Sequence, residues 1–210
     1  MVVLSVCASK GGVGKTTLSA CLAVAAVEDH MKVGLIDLDP QASLARWWEL
    51  RGEPDNPQLI TGIDDLHDAV EAVAEHGFDL IVIDTPPALM SKLTPAVEVS
   101  DFVLIPAQPS PLDVEAIDPV IELVSENGKA FAFVLNRASA RTALAKGATT
   151  YLQEGGEVLD ELVASRAVFA AAMTDGKSGP EVDKGKARKE INGLWRAVKK
   201  RLRKAGRKAA

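Results

Sequence analysis

The sequence predicts an α/β protein with a mostly parallel sheet flanked by helices on both faces. Short runs rich in Val, Ile, Leu and Phe alternate with helical patterns almost throughout, which is the signature of repeated βαβ units. The runs are nearly continuous in apolar residues, as expected for strands covered on both faces. With 210 residues, 47% of them hydrophobic and 25% charged, the chain can bury one sizeable core, and a single domain over 1–210 is expected.

The first strand, 2–7, lacks a basic leader and runs straight into a glycine-rich loop, so it reads as a strand and not as a signal peptide. A helix over about 15–29 follows. Its apolar run, 18–27, is about half of what a bilayer span requires. A second strand at 32–36 leads to a helix at 41–51, where Trp47 and Trp48 are adjacent and cannot share one face, so at least one should be partly exposed. The turn-rich stretch 52–57 should connect to a short edge strand. Helices are expected at 63–76, 112–126 and 141–153, and strands at 80–83, 102–105 and 130–135. Residues 151–173 give no readable period, and 174–186 reads as a loop.

The terminal helix, 187–205, places Ile191, Leu194, Trp195, Val198 and Leu202 on one face, opposite Arg196, Lys199, Lys200, Arg201 and Arg203. Packing of that apolar face on the sheet is the favoured reading, and an amphipathic membrane anchor is the rival. Residues 184–210 hold twelve of the 24 Lys and Arg against one acid, Glu190. The tail therefore carries +11 and the preceding 183 residues −16. That division points to a polyanion as partner, with part of the charge simply solvated. The two cysteines, Cys7 and Cys21, sit in apolar segments without CxxC spacing, which excludes a disulfide framework or zinc site and fits buried thiols in a reducing cytoplasm.

After the first strand comes Ser9-Lys10-Gly11-Gly12-Val13-Gly14-Lys15-Thr16-Thr17, opening an apolar helix. Glycines let successive N–H groups turn toward a polyphosphate, and the helix N-terminus favours its negative charge. In such a loop Lys15 neutralises β and γ phosphates and the Thr16 hydroxyl ligates Mg2+, so a polyphosphate with Mg2+ is the expected ligand. Two further strands end in acids. Asp37 and Asp39 follow the second at i and i+2, on one side of the chain if the extended alternation persists; they suit either a water and Mg2+ shell or a helix cap. Asp84 ends an apolar strand and fits a Walker B carboxylate holding Mg2+ through a water, with the Thr85–Pro87 turn as a switch; a capping role is the plainer alternative.

The loop departs from GxxxxGK[ST]: Ser9 replaces the first glycine and Lys10 adds a second lysine. This form resembles the deviant Walker A motif of the ParA/MinD ATPases, a variant of the P-loop NTPase architecture. The resemblance implies that Lys10 reaches across a nucleotide-sandwich dimer to the partner subunit's phosphates. It also implies that the polyphosphate is ATP or ADP, that Asp39, in the DxDPQ element, orients the attacking water, that Asp37 supports Mg2+, and that Asn136 contacts adenine. The stretches 39–44 with Trp47-Trp48, and 106–113 (PAQPSPLD), resemble the short ParA group typified by ParF. The motif-bearing likeness covers roughly 2–137. Long relatives carry an N-terminal helix-turn-helix for which this chain leaves no room, so autoregulation through such a domain is not expected.

The resemblance implies a partition ATPase: an ATP-bound homodimer on nonspecific nucleoid DNA through the basic C-terminal region, its hydrolysis stimulated by a ParB-like or cargo-adaptor protein. The cargo would be a plasmid, a chromosome or a protein body, and the location cytoplasmic and nucleoid-associated. A MinD-like membrane role and an ATP-dependent ligase of small carboxylates, like dethiobiotin synthetase, are the alternatives. Neither DxDPQ nor the basic tail is needed by the ligase chemistry. A nitrogenase iron-protein role needs cluster-ligating cysteines in mid-chain, where this sequence has none.

Overall fold

The computed structural model describes residues 1–87, 90–139 and 142–209. Arg141, expected to open a helix, and the Arg207 and Lys208 side chains of the basic tail fall outside that description. The elements, in chain order, are β1 (Val2–Val6), α1 (Lys15–Glu28), β2 (Val33–Asp37), α2 (Ser43–Leu50), β3 (Gln58–Leu59), α3 (Leu66–Ala74), β4 (Leu80–Asp84) and α4 (Met90–Val99). They continue with β5 (Phe102–Ala107), α5 (Pro111–Glu115), α6 (Asp118–Glu126), β6 (Ala130–Ala138), α7 (Ala143–Gly155), β7 (Val163–Ala164), α8 (Ala167–Met173), α9 (Gly179–Val182) and α10 (Lys186–Ala209).

Seven parallel strands form one sheet in the order β3-β2-β4-β1-β5-β6-β7. The α/β class expected from the apolar runs is what the structure shows. Successive residues of each central strand feed opposite faces. Leu4, Leu35, Val82 and Leu104 pack with α1, α2, α8 and α10, while Val3, Ile36, Ile81 and Ile83 meet α3 and α4, and Val103, Ile105 and Phe133 meet α4, α6 and α7. Helix α1 is apolar nearly all round because it lies between the sheet and the outer helices, so Leu18 to Ala26 are all buried.

Several expectations are corrected. The helix expected over 112–126 is two helices, because Pro119 stands in the first turn of α6 and cannot donate the backbone hydrogen bond that would continue α5. Helix α4 has no clear mark in the sequence, because Pro95 lies inside it and Pro86 and Pro87 precede it. The stretch read as a loop, 174–186, contains α9, a single turn with Pro180 near its start, and the unreadable stretch before it holds β7 and α8. The tryptophan pair keeps to expectation, with one member buried and the other partly exposed. Trp47 is 1% exposed and its indole N–H donates to the Lys177 carbonyl, while half-buried Trp48 donates to the Pro57 carbonyl. The apolar face of α10 is spent on the core, with Ile191, Leu194, Trp195, Val198 and Leu202 all buried. Among the described residues no helix is long and apolar enough to cross a membrane.

Candidate nucleotide site

The chain leaves β1 to one side through α1 and β2, and reaches the other side through β5, so a crevice opens at the C-terminal end of β1. The glycine-rich loop occupies it. Gly14 stands at the N-cap of α1 without a side-chain cap, so the first-turn amides of α1 remain available to an anion. Its φ of 92° is left-handed, and a Cβ there would come within 2.3 Å of Asn136 Nδ2; only glycine fits. Lys15 is 7% exposed, with Nζ turned over its own loop toward the carbonyls of Ala8 (3.4 Å) and Lys10 (3.3 Å). Burial lowers its pKa, and the carboxylates of Asp84 and Asp39 act against that.

Asp84, at the end of β4, is fully buried beneath α1. Thr16 Oγ1 donates to its Oδ2 at 2.6 Å, and Ser19 Oγ lies 3.2 Å from its Oδ1. Burial pushes its pKa up to about 7, opposed by the Thr16 hydrogen bond and reinforced by the charge of Asp37, its register partner across β2 and β4. The Thr16 hydroxyl and the Asp84 carboxylate make a hard-oxygen pair. No group of three metal-ligating side chains exists among the described residues. That donor set fits Mg2+, which takes one or two protein oxygens and completes its shell with phosphates and water.

The two acids after β2 part company. The strand ends at Asp37, so the alternation that would put both on one side stops short of Asp39. Asp37 accepts from the amides of Asp39 (3.0 Å), Leu44 and Ala45 (both 2.9 Å), which caps α2. Asp39 accepts from the Gln41 amide at 2.9 Å, and its charge is felt by Lys15. Between them and α2, Ala42 holds a left-handed φ of 50°.

Asn136 is buried against the loop. Its Nδ2 donates to the Val13 carbonyl at 2.6 Å and its Oδ1 accepts from the Arg137 amide. It lines a cavity of about 380 Å3, together with Gly14, Thr17, Arg137, Arg166 and Phe169. The loop residues Lys10, Gly11, Gly12, Val13, Gly14, Lys15, Thr16 and Thr17 thus lie beside Asp84, Asp37, Asp39 and Asn136 at one end of the sheet.

Sequence reasoning missed Ser19, although its spacing of three from Thr16 puts both hydroxyls on one helix face. It also missed Asp113, whose carboxylate pairs with Lys10 at 2.7 Å; nothing in the spacing of 10 and 113 announces that contact. Cys7 and Cys21 are buried, and burial pushes both thiols up to about 12, as inert core residues should be.

Fold and loop together define a P-loop nucleotide-binding protein. The family described as the CobQ/CobB/MinD/ParA nucleotide binding domain matches residues 4–178. The chain belongs to that family, as a ParA/MinD-type ATPase. Among relatives, "Maintenance of carboxysome distribution protein A" of Halothiobacillus neapolitanus is 34% identical over 184 residues, covering 83% of this chain and 85% of the relative. The MinD cell division protein of Aquifex aeolicus superposes with a TM-score of 0.80 at 21% identity, over 94% of this chain and 97% of that one. MinD of Pyrococcus horikoshii complexed with Mg-ADP gives 0.75 at 19% identity, over 94% and 95%. These two structural likenesses speak for the fold.

Proposed function

We propose that this chain is a positioning ATPase of ParA type, which pairs face to face with a second copy when ATP is bound, rides nonspecific DNA as a dimer, and releases when a partner protein stimulates hydrolysis to ADP and phosphate. The observation that carries this reading is the pair of lysines in one loop: Lys15 turns inward over its own phosphate site, and Lys10 stands half-exposed at the rim. A mononucleotide site needs only the first.

Each side chain takes a task its position allows. The bare amides of Gly11 to Thr17 and Lys15 hold the phosphates, and the cavity beside Asn136 receives base and ribose. Thr16 and Asp84 hold Mg2+, which when bound neutralises charge on the β and γ oxygens. Asp37 supports them by fixing the turn into α2. Asp39 orients the attacking water, and Lys10 adds a cation to the partner subunit's phosphoryl group.

The basic tail supports the DNA reading because its charges are sorted. Arg188 pairs with Glu28, Lys199 with Asp29 and Arg201 with Glu157, tying α10 to the acidic body. Lys186, Lys189, Arg196, Lys200, Arg203 and Lys204 are exposed and have no ion pair among the described residues. At 100° per residue these six fall within an arc of about 100°, opposite the buried apolar face and about 27 Å long. A stripe of cations on a rigid helix suits a phosphate backbone. The membrane reading loses ground, since the face that would enter lipid is already in the core. Similarity to a carboxysome distribution protein favours a large protein body as cargo, and the proposed location is cytoplasmic, on the nucleoid.

The test is DNA binding at fixed salt with ADP, ATP and a non-hydrolysable analogue. Wild type should bind DNA tightly only with the triphosphates, and Lys10→Ala should lose that dependence. Unchanged ATP-dependent binding by Lys10→Ala would refute the sandwich account.

A further inference from the structure

Lys10 is already engaged. Its Nζ lies 2.7 Å from Asp113 Oδ1, in the first turn of α5, with the two side chains 44% and 10% exposed. Two further contacts join the same segments: Ser9 Oγ donates to the Ala116 carbonyl, and Gln108 Nε2 donates to the Gly12 carbonyl at 3.0 Å. The strap 108–116 therefore grips the phosphate loop at Ser9, Lys10 and Gly12. Lys10 is the cation paired with Asp113 among the described residues. The carboxylate is largely withdrawn from water while the ammonium is half-exposed, so losing the pair carries a moderate cost, between that of a surface pair and that of a buried one.

We propose that Asp113 is a positioning residue that latches Lys10 within its own subunit and thereby sets the protein concentration at which ATP joins two chains. The inference rests on the reading above, in which Lys10 reaches the partner's phosphates. One ammonium cannot serve both anions unless they share it, and sharing would press a carboxylate against a triphosphate, which like-charge repulsion opposes. Dimerisation therefore exchanges one anion for another on Lys10. Only the unlatched fraction is competent to pair, and because both chains must be unlatched the apparent dissociation constant of the dimer rises by the inverse square of that fraction. A latch closed in about two molecules of three therefore raises it about tenfold.

The test is a sedimentation-velocity dilution series on the full chain with Mg2+ and a non-hydrolysable ATP analogue, for wild type, Asp113→Asn, Asp113→Glu, Lys10→Ala and the double variant Lys10→Ala/Asp113→Asn. Asparagine keeps the shape and removes the charge. Asp113→Asn should dimerise at about tenfold lower concentration than wild type, and Asp113→Glu should return it toward wild type. With ADP all should stay monomeric. In the Lys10→Ala background Asp113→Asn should change nothing, because a latch with no lysine to hold has no effect. Equal or weaker pairing by Asp113→Asn with an unchanged melting temperature overturns the latch, and so does rescue of pairing in the Lys10→Ala background. If wild type pairs and Asp113→Asn matches it, the latch alone fails. If neither pairs at any concentration, the sandwich reading fails and takes the latch with it.

Discussion

Asp84 carries two opposed demands in one carboxylate. Burial favours its protonated form, with a pKa pushed up to about 7, whereas the proposed Mg2+ role requires the anion. The unfolded value is about 3.9, so between the two the native state binds the extra proton. The metal-free chain should therefore lose stability as pH rises from about 4 toward 7, by up to about 1.4 kcal/mol per unit from this group. Thermal melts of wild type and Asp84→Asn across that range check the sign, since the variant should show a flatter profile; identical slopes would contradict it. Nucleotide binding with Mg2+ should weaken over the same window as pH falls, because the ion competes with the proton. Asp39 makes a separate prediction: Asp39→Ala should pair with ATP but hydrolyse it far more slowly, leaving a persistent dimer in sedimentation, and turnover at the wild-type rate would remove its role. The loop was legible because its residues are contiguous. Asp113 and Ser19 were not, because a contact between distant segments and a hydroxyl inside an apolar helix leave no mark on local pattern.

Helix α10 divides its cations by what lies beneath them. The apolar stripe could be read from spacing alone, since Ile191, Leu194, Trp195, Val198 and Leu202 keep helical period and all are buried. Which cations are consumed could not, because Glu28, Asp29 and Glu157 come from elements far away in sequence. The division has a measurable consequence. Lys200→Ala with Arg203→Ala, which removes four cations from the dimer, should reduce the slope of log affinity for DNA against log salt by about 4. Arg201→Gln should leave that slope nearly unchanged and lower the melting temperature by a few degrees. Equal slopes for the two variants would refute the sorting. Helix α2 shows the same dependence on distant partners: Asp37 caps one end, while at the other Arg51 bonds Glu181 and the Gly176 carbonyl. Gly176 itself, at φ 64°, passes so close that a Cβ would meet the Arg51 backbone N at 2.3 Å. The elements that escaped sequence reading are those where proline or brevity erased periodicity, namely α4 with Pro95, the split at Pro119, and the two-residue β7.

Across the molecule, the sheet order explains why acids from β2 and β4 and the loop after β1 converge: these three strands are adjacent and parallel, so their C-terminal ends share one edge. The same edge presents Lys10 to solvent, while the free cations of α10 form a separate stripe on an outer helix. In the proposed function nucleotide and DNA take different surfaces, and pairing of two chains would link them by doubling the cationic stripe. Everything else in the proposal depends on that pairing. Its most direct measurement is the mass of the full chain by sedimentation velocity at one protein concentration, with Mg2+ and either ADP or a non-hydrolysable ATP analogue. The account predicts a monomer with ADP and a particle of twice that mass with the analogue; one and the same mass with both nucleotides would contradict it.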